Sequence, residues 1–420
     1  MNESPGPAGL VDDFFRRDYT RLVAMLVRRV GVRHIELVED AVQSAYMAAL
    51  SAWKEESAPP NDPRAWLFKV AYHRVVQDLR REAGRAQILN RVAGVAAEFT
   101  VDPDEPFSSD EIRDDLLRML FVCCDETIPW ESRLVLALKT LCGFSISEIA
   151  PRLFISEANA YKRLSRARER LREAPADLET PPLATLRHRL STVHDVLYLL
   201  FNEGYLSEHG EHAIRRELCD EAMLLATLLA DHTVGAVPET FALLALMHFH
   251  TARLGSRVDA AGGLLLLEEQ DRALWDCKHM QLGAQWLQRS AAGDTFSRFH
   301  AEAGIAAAHC LAPSFSETPW DQIAELYAML ERLAPSPLHT LNRALAIAEW
   351  RGPQAGLAVL DGLAPQAWLA GSYLWDAVSA DLHRRAGNSG IARQFRERAL
   401  ELAPTDAVRK LLRRRLASLD

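Results

Sequence analysis

Apolar residues recur at three- and four-residue spacing along nearly all of the 420-residue chain, while alternating runs of the kind that mark half-buried strands are scarce. That pattern predicts an all-α protein, and its interruptions divide the chain. A first amphipathic block, residues 11–85, includes a helix over Ile35–Lys54, broken by the loop Glu55–Asn61 with its Pro59–Pro60 pair. Residues 86–127 follow as an acidic linker, in which Val101–Asp110 carries Pro103 and Pro106 and a short apolar helix is expected around Leu116–Cys124. A second helical block covers residues 128–174. Ala174–Pro175 and Pro181–Pro182 then interrupt the pattern, and a third helical region, residues 183–420, takes up more than half of the chain. Near its end, Gly352, Leu363, Ala364 and Pro365 recur as Gly387, Leu402, Ala403 and Pro404, at offsets of 35 to 39 residues. Ala392, Phe395, Ala399 and Leu400 fit the second helix of a tetratricopeptide-like repeat, whose period is about 34 residues. Thr185–Ser314 shows no clear period.

Composition narrows the class. The chain is 49% hydrophobic and 25% charged, as expected of a globular protein, and is long enough for two or three cores. It has no apolar run of membrane-spanning length, and Met1–Leu10 lacks the basic-then-apolar order of a signal peptide, so a cytoplasmic protein with no membrane association is expected. The six cysteines, Cys123, Cys124, Cys142, Cys219, Cys277 and Cys310, form no CxxC pair, which speaks against a zinc site or a disulfide framework and for buried thiols. HExxH, GxSxG, GxGxxG and Walker motifs are missing, and His248 and His250 are two apart and so face different ways on a helix. A non-enzymatic role, without metal or other cofactor, is expected. The net charge of −9 argues against general coating of nucleic acid, but the charge is unevenly placed. Nine acids between Asp102 and Glu126 oppose Arg113 and Arg118, whereas Lys162, Arg163, Arg166, Arg168, Arg170 and Arg172 oppose Glu169 alone. Such a concentration is the footprint of local duplex contact.

The basic run belongs to a helix-turn-helix pattern. Ile149 and Leu153 would pack inward from a first helix, Ile155 would fill the turn, Ser156 is a good N-cap, and Glu157 favours the positive helix end. Ala160 and Leu164 would face the core, leaving Asn159, Lys162, Arg163 and Arg166 outward. Asn159, Lys162 and Arg163 would lie near base edges, with Arg166 and Arg170 on phosphates. Pro151, near the end of the first helix, should shorten or kink it.

A second signal comes from the first block, in Glu39, Asp40, Gln43, Tyr46 and Leu50 and then Asn61, Pro63, Trp66, Tyr72, Arg74, Asp78, Arg80 and Arg81. With the helix-turn-helix, these residues resemble, in order and spacing, the two promoter-binding domains of extracytoplasmic-function sigma factors, over about Val11–Ala174. The third block resembles the tetratricopeptide-type extension of one subgroup at Phe201–Tyr205, Glu269–Asp276 and Ala334–Ala344. The resemblance implies sigma region 2 over 11–85 and region 4 over 128–174. It also implies core RNA polymerase as partner, through the β′ clamp helices and the β flap, and promoter DNA as ligand. It places Asp40, Gln43 and Tyr46 on the clamp-binding helix, and Trp66, Tyr72, His73 and Arg74 on the helix facing the minus-ten element. The loop Glu55–Pro63 would capture an extruded base, whose unstacking costs about a few kcal/mol. His73 stands where many relatives carry Asn, which leaves the preferred minus-ten base open.

Competing readings are specific. Trp66 and Phe68 at helical spacing could be core, and Tyr72 and Arg74, two apart, face different ways, so at most one need touch DNA. In the extension, Asn202, Glu203, Tyr205, Asp271, Arg272, Trp275 and Trp320 are candidates for an inter-domain or ligand surface, for an unknown peptide or small-molecule signal, or else for the helical core. The alternative function is a ligand-sensing helix-turn-helix regulator that does not bind core polymerase. It would not need the Asp40–Arg81 block.

Overall fold

The computed structural model describes residues 7–53, 60–89, 109–153, 155–173, 182–205, 216–259, 263, 265–361, 363 and 372–416. Among these the regular elements are helical, with no strand, and no helix is long and apolar enough to cross a membrane. Residues Glu55–Pro59 of the expected capture loop, Val101–Ser108 of the acidic linker, the breaks Ala174–Pro175 and Pro181, and Ala364–Pro365 lie outside the described residues. The chain forms two compact units, Met1–Val196 and Leu197–Asp420.

The first unit is built around α1 (Pro7–Val30), which packs against α2 (Ile35–Ala52), α3 (Pro63–Leu89), α4 (Ser109–Cys123) and α5 (Trp130–Cys142). Leu22, Val23, Leu26 and Val30 of α1 are buried with Val38, Val42, Ala45 and Ala49 of α2 and Leu67, Phe68, Ala71 and Val75 of α3. Ala41, Ala45 and Ala49, four apart, keep one face of α2 narrow where helices meet. The apolar helix expected around Leu116–Cys124 starts earlier, at Ser109, and buries Leu116, Leu117, Leu120 and Phe121. Gly143 ends α5 in the left-handed region, at φ 68°, where a side chain would be strained and its Cβ would stand 3.1 Å from the Tyr19 ring. Then come α6 (Ile146–Arg152), α7 (Glu157–Arg172) and α8 (Leu183–Tyr205), with the unit boundary falling inside α8.

The second unit centres on α10 (Pro238–Ala252), buried on almost every side and packed by α9 (Arg216–Asp231), α11 (Cys277–Ser290) and α12 (Arg298–Leu311). Successive helices then pack on their neighbours: α13 (Trp320–Leu333), α14 (Pro337–Arg351), α15 (Pro353–Leu360), α16 (Tyr373–Arg385), α17 (Ser389–Glu401) and α18 (Asp406–Arg415). The sequence repeat has a structural basis here. Gly352, at φ 92°, joins α14 to α15, and Gly387, at φ 81°, joins α16 to α17, so both turn a helix pair in a conformation that favours glycine. Ala392 and Ala399 are fully buried on α17, and Phe395 stacks on His383 of the preceding helix.

Candidate functional site

The outward face of α7 is set by the cap before it and the stripe beneath it. Ser156 Oγ accepts from the Asn159 amide at 3.2 Å, and Ala160, Leu164, Ala167 and Leu171 form a buried stripe against α5 and α6. α6 is only seven residues long, opened by a reciprocal cap in which Ser145 Oγ accepts from the Glu148 amide at 3.3 Å and Glu148 accepts from the Ser145 amide at 2.8 Å. Pro151 sits one residue before its end, as expected of a residue that cannot continue a hydrogen-bonded helix. Lys162, Arg166 and Arg170 are exposed, Arg170 lying 3.5 Å from Glu173, while Asn159 and Arg163 are half-buried. Tyr161, 60% exposed beside this basic face, offers an aromatic surface that charge pattern alone did not single out.

Two further arginines of α7 reach α2. Arg168 pairs with Glu36 at 2.9 Å and also with Glu39, and Arg172 lies 3.5 Å from Glu36. Glu39 is 1% exposed and accepts from Thr140 Oγ1 at 2.8 Å. Burial works against the charge on Arg168, but Glu39 and Glu36 outweigh it and raise its pKa. Thr20 adds a bond to the Leu141 carbonyl at 2.8 Å. α2 and the basic helix are thus fastened to each other.

Beyond Glu39, α2 presents Asp40, Gln43, Met47 and Leu50 to solvent, at offsets of three, seven and ten residues. Met47 is 65% exposed and Leu50 41%, an apolar edge on a polar face. Tyr46 requires a correction: it is buried, its hydroxyl pKa raised by burial and then by the charge of Asp18, so it supports the helix from within and is not part of this face. Asp18 is itself held by Arg64 at 2.7 Å, which fixes the start of α3.

On α3 a similar correction applies to Tyr72, which is buried and stacks on Phe68 at 6.0 Å. Its position two residues from Arg74 explains the difference, since the opposite side of the helix is the outer one. His73 and Arg74 are exposed with Lys69, Gln77, Arg80 and Arg81, and Arg74 lies 3.2 Å from Asp78. Trp66 is half-buried against Trp53 at 5.4 Å. Lys69 and Gln77 lie four residues either side of His73 and could have been found from that spacing.

In the extension, Tyr205 and Trp275 are buried, while Asn202, Glu203, Arg272 and Trp320 are half-buried. Asp271 is exposed and caps the short turn Arg272–Leu274 by accepting from the Ala273 amide at 2.9 Å. Trp320 lines a cavity of about 720 Å³ with His309 and Phe315. Among the described residues no group of three His, Cys, Asp or Glu side chains is placed to hold a metal.

Comparison with known proteins agrees with this layout. Residues 15–85 match sigma-70 region 2, residues 118–171 match sigma-70, region 4, and residues 189–291 match a family of unknown function (DUF6596). The uncharacterized protein R00370 of Rhizobium meliloti (strain 1021) is 34% identical over 394 residues, covering 92% of this chain and 91% of its own length. No solved structure matches.

Proposed function

This chain belongs to the extracytoplasmic-function sigma factors, in the subgroup with a helical C-terminal extension, and from that premise we propose that it binds core RNA polymerase in the cytoplasm and directs promoter-specific initiation. The observation that carries this reading is the exposed Asp40, Gln43, Met47 and Leu50 face of α2. A free-standing DNA-binding regulator has no use for a second partner face of mixed polar and apolar character beside its recognition helix. The face would take the β′ clamp helices, α3 would meet the minus-ten element through His73 and Arg74, and α7 would read the minus-thirty-five element while region 4 rests on the β flap. No cofactor is required. Asn159, Lys162 and Arg163 would lie nearest base edges because a recognition helix enters the major groove by its N-terminal end.

The Arg168 contacts add a step. At roughly 3.4 Å per base pair, promoter elements named for positions about 25 base pairs apart are on the order of 80 Å apart. With α7 tied to α2 by ion pairs of 2.9–3.5 Å, and α2 packed on α3, α7 and α3 cannot reach both elements at once. The packing therefore belongs to the unengaged chain, and polymerase binding would separate α7 from α2.

Gel filtration with core enzyme, followed by transcription from the upstream region of the chain's own gene, tests this reading. Co-elution and initiation are expected, both reduced by Gln43→Ala with Met47→Ser. A chain that binds duplex but ignores core enzyme would favour the ligand-sensing regulator. The extension would modulate the output. Its removal is best made after Val196, because Arg189 pairs with Asp125, whose side chain is 2% exposed, and an earlier cut would strand that carboxylate.

A further inference from the structure

Among the described residues, three arginines of the extension are gathered without an ion-paired acid. Arg253, at the end of α10, donates to the Tyr205 hydroxyl at 3.1 Å and stands 5.9 Å from the Trp275 ring centre. Arg257 covers the Tyr205 ring at 4.0 Å and donates to the Tyr205 carbonyl. Arg272 lies 4.5 Å over the other partner, Trp275, and one of its nitrogens donates to the carbonyls of His309 and Ala312, both at 2.8 Å. The charged or titratable groups acting on Arg257 are Tyr205, Arg253 and Cys219, and those acting on Arg272 are Cys310 and Arg253. No carboxylate is among them.

The cluster also has unmet donors. Arg253 Nε, Arg272 Nη2 and Trp275 Nε1 are buried with no acceptor among the described residues, although the Arg253 side chain also hydrogen-bonds the Cys310 thiol. Buried N–H groups and buried charge are both costly unless something answers them. Stacking on Trp275 and Tyr205 explains how the arginines are held in place, and the carbonyls explain one edge of Arg272, but neither supplies negative charge.

We propose that Arg253 and Arg272, beside Trp275, form a binding site for the oxyanion of a small molecule, a phosphate or carboxylate. Each planar guanidinium presents parallel donors that match such a group, and charge-assisted bonds are the strong ones. Room for the rest of the ligand lies next door. His309, whose carbonyl holds Arg272, lines the cavity of about 720 Å³, a size suited to a small molecule, along with Phe315, Trp320 and Tyr327. The cavity's own arginines are already matched by acids: Arg414 by Glu269 at 2.7 Å, Arg415 by Asp381 at 3.3 Å, Arg384 by Asp381 at 2.8 Å and Arg385 by Glu349 at 2.5 Å.

Calorimetric titration of the full chain tests this with inorganic phosphate in one arm and citrate in the other, against sodium chloride at equal ionic strength. Saturable one-to-one binding of phosphate or citrate is expected, and the stronger of the two identifies the oxyanion class. Arg253→Met should weaken it by at least about tenfold, as loss of a charge-assisted contact requires. Arg414→Met, which alters a matched pair in the neighbouring cavity, should leave affinity within about twofold. If Arg272→Met fails to fold because two carbonyls lose their donor, Arg253→Met and Arg257→Met decide the question. No saturable binding of either anion up to about 10 mM, well above the usual range for metabolite sites, would overturn the proposal. So would equal affinity in the wild-type chain and Arg253→Met.

Discussion

Both units of this molecule bury arginine, and they answer the charge differently. In the first, Arg168 is met by Glu36 and Glu39, and the remaining Glu39 oxygen is met by Thr140. In the second, Arg253, Arg257 and Arg272 meet aromatic rings and carbonyl oxygens. A closed ion pair joins two parts of the protein to each other, whereas a cluster of one sign has its complement elsewhere. The first arrangement is suited to a fastening between regions 2 and 4, the second to a ligand.

The largest effect should come from breaking the closed pair. Glu39→Ala leaves Arg168 facing a buried site without its main acceptor and should cost about 3–5 kcal/mol, read from urea unfolding of the first unit. Replacing both partners, Glu39→Leu with Arg168→Met, should recover most of that loss. If the single variant lost less than about 1 kcal/mol, the fastening would not be the closed pair described. Next in size is the outward face of the same helix. Arg163→Ala should cost about 1–3 kcal/mol on the cognate element and relax preference at one position if it makes a bidentate base contact. Arg170→Ala, already shared with Glu173, should weaken all sequences alike and lower the salt slope by about one unit. Equal losses for Arg163→Ala on cognate and scrambled duplexes would show that it only positions the helix.

Acidity should separate the two units more gently. Burial, and then Arg253 and Arg272, lower His309 to about 3, and burial with His279 lowers His248 to about 4. The unfolded chain then binds protons that the folded extension refuses, so stability is full above about pH 6.5 and falls as pH drops towards these values. One unit below 6.5, each histidine contributes a loss of about 1.4 kcal/mol. Asp115 in the first unit runs the other way. Burial raises it to about 6 against the pull of Arg28, so protonation between about pH 6 and 4 favours the folded form. Hydrogen exchange at pH 7 and pH 5.5 should show protection falling in α10 and α12 more than in α1 and α4. The reverse order would refute the assignment. The smallest effect is expected for Arg253→Met in phosphate-free buffer: removing an unmatched charge should shift stability by less than about 1 kcal/mol. A loss as large as that of Glu39→Ala would mean that the cluster has an internal counter-charge.

Much of this could be read from the sequence because it is local. The helical spacing, the Ser156 cap, the buried Ala160 and Leu164, and the Gly352 and Gly387 turns each depend on residues within a turn or two of one another. Tyr46 and Tyr72 misled because a tyrosine at helical spacing looks the same whether its face is inside or outside. Arg168 and Glu39 are 129 residues apart in sequence, and nothing local marks them as partners. Arg168 does follow the core residue Leu164 by four positions, a hint that it lies near the buried stripe. The arginine cluster draws on the end of α10, the turn before α11 and the end of α12. Its members Tyr205, Arg272 and Trp275 stood out in the sequence, but not their shared lack of an acid.

Core polymerase is expected to take the α2 face and separate it from the basic helix. Fluorophores placed by unnatural amino acids at positions 73 and 165, since Cys277 is exposed and would compete for thiol labels, would report the separation of α3 and α7 by energy transfer. A short distance in the free chain, lengthening by tens of ångströms when core enzyme is added, is the expected result. An unchanged short distance with core enzyme bound, or no binding at all, would contradict it.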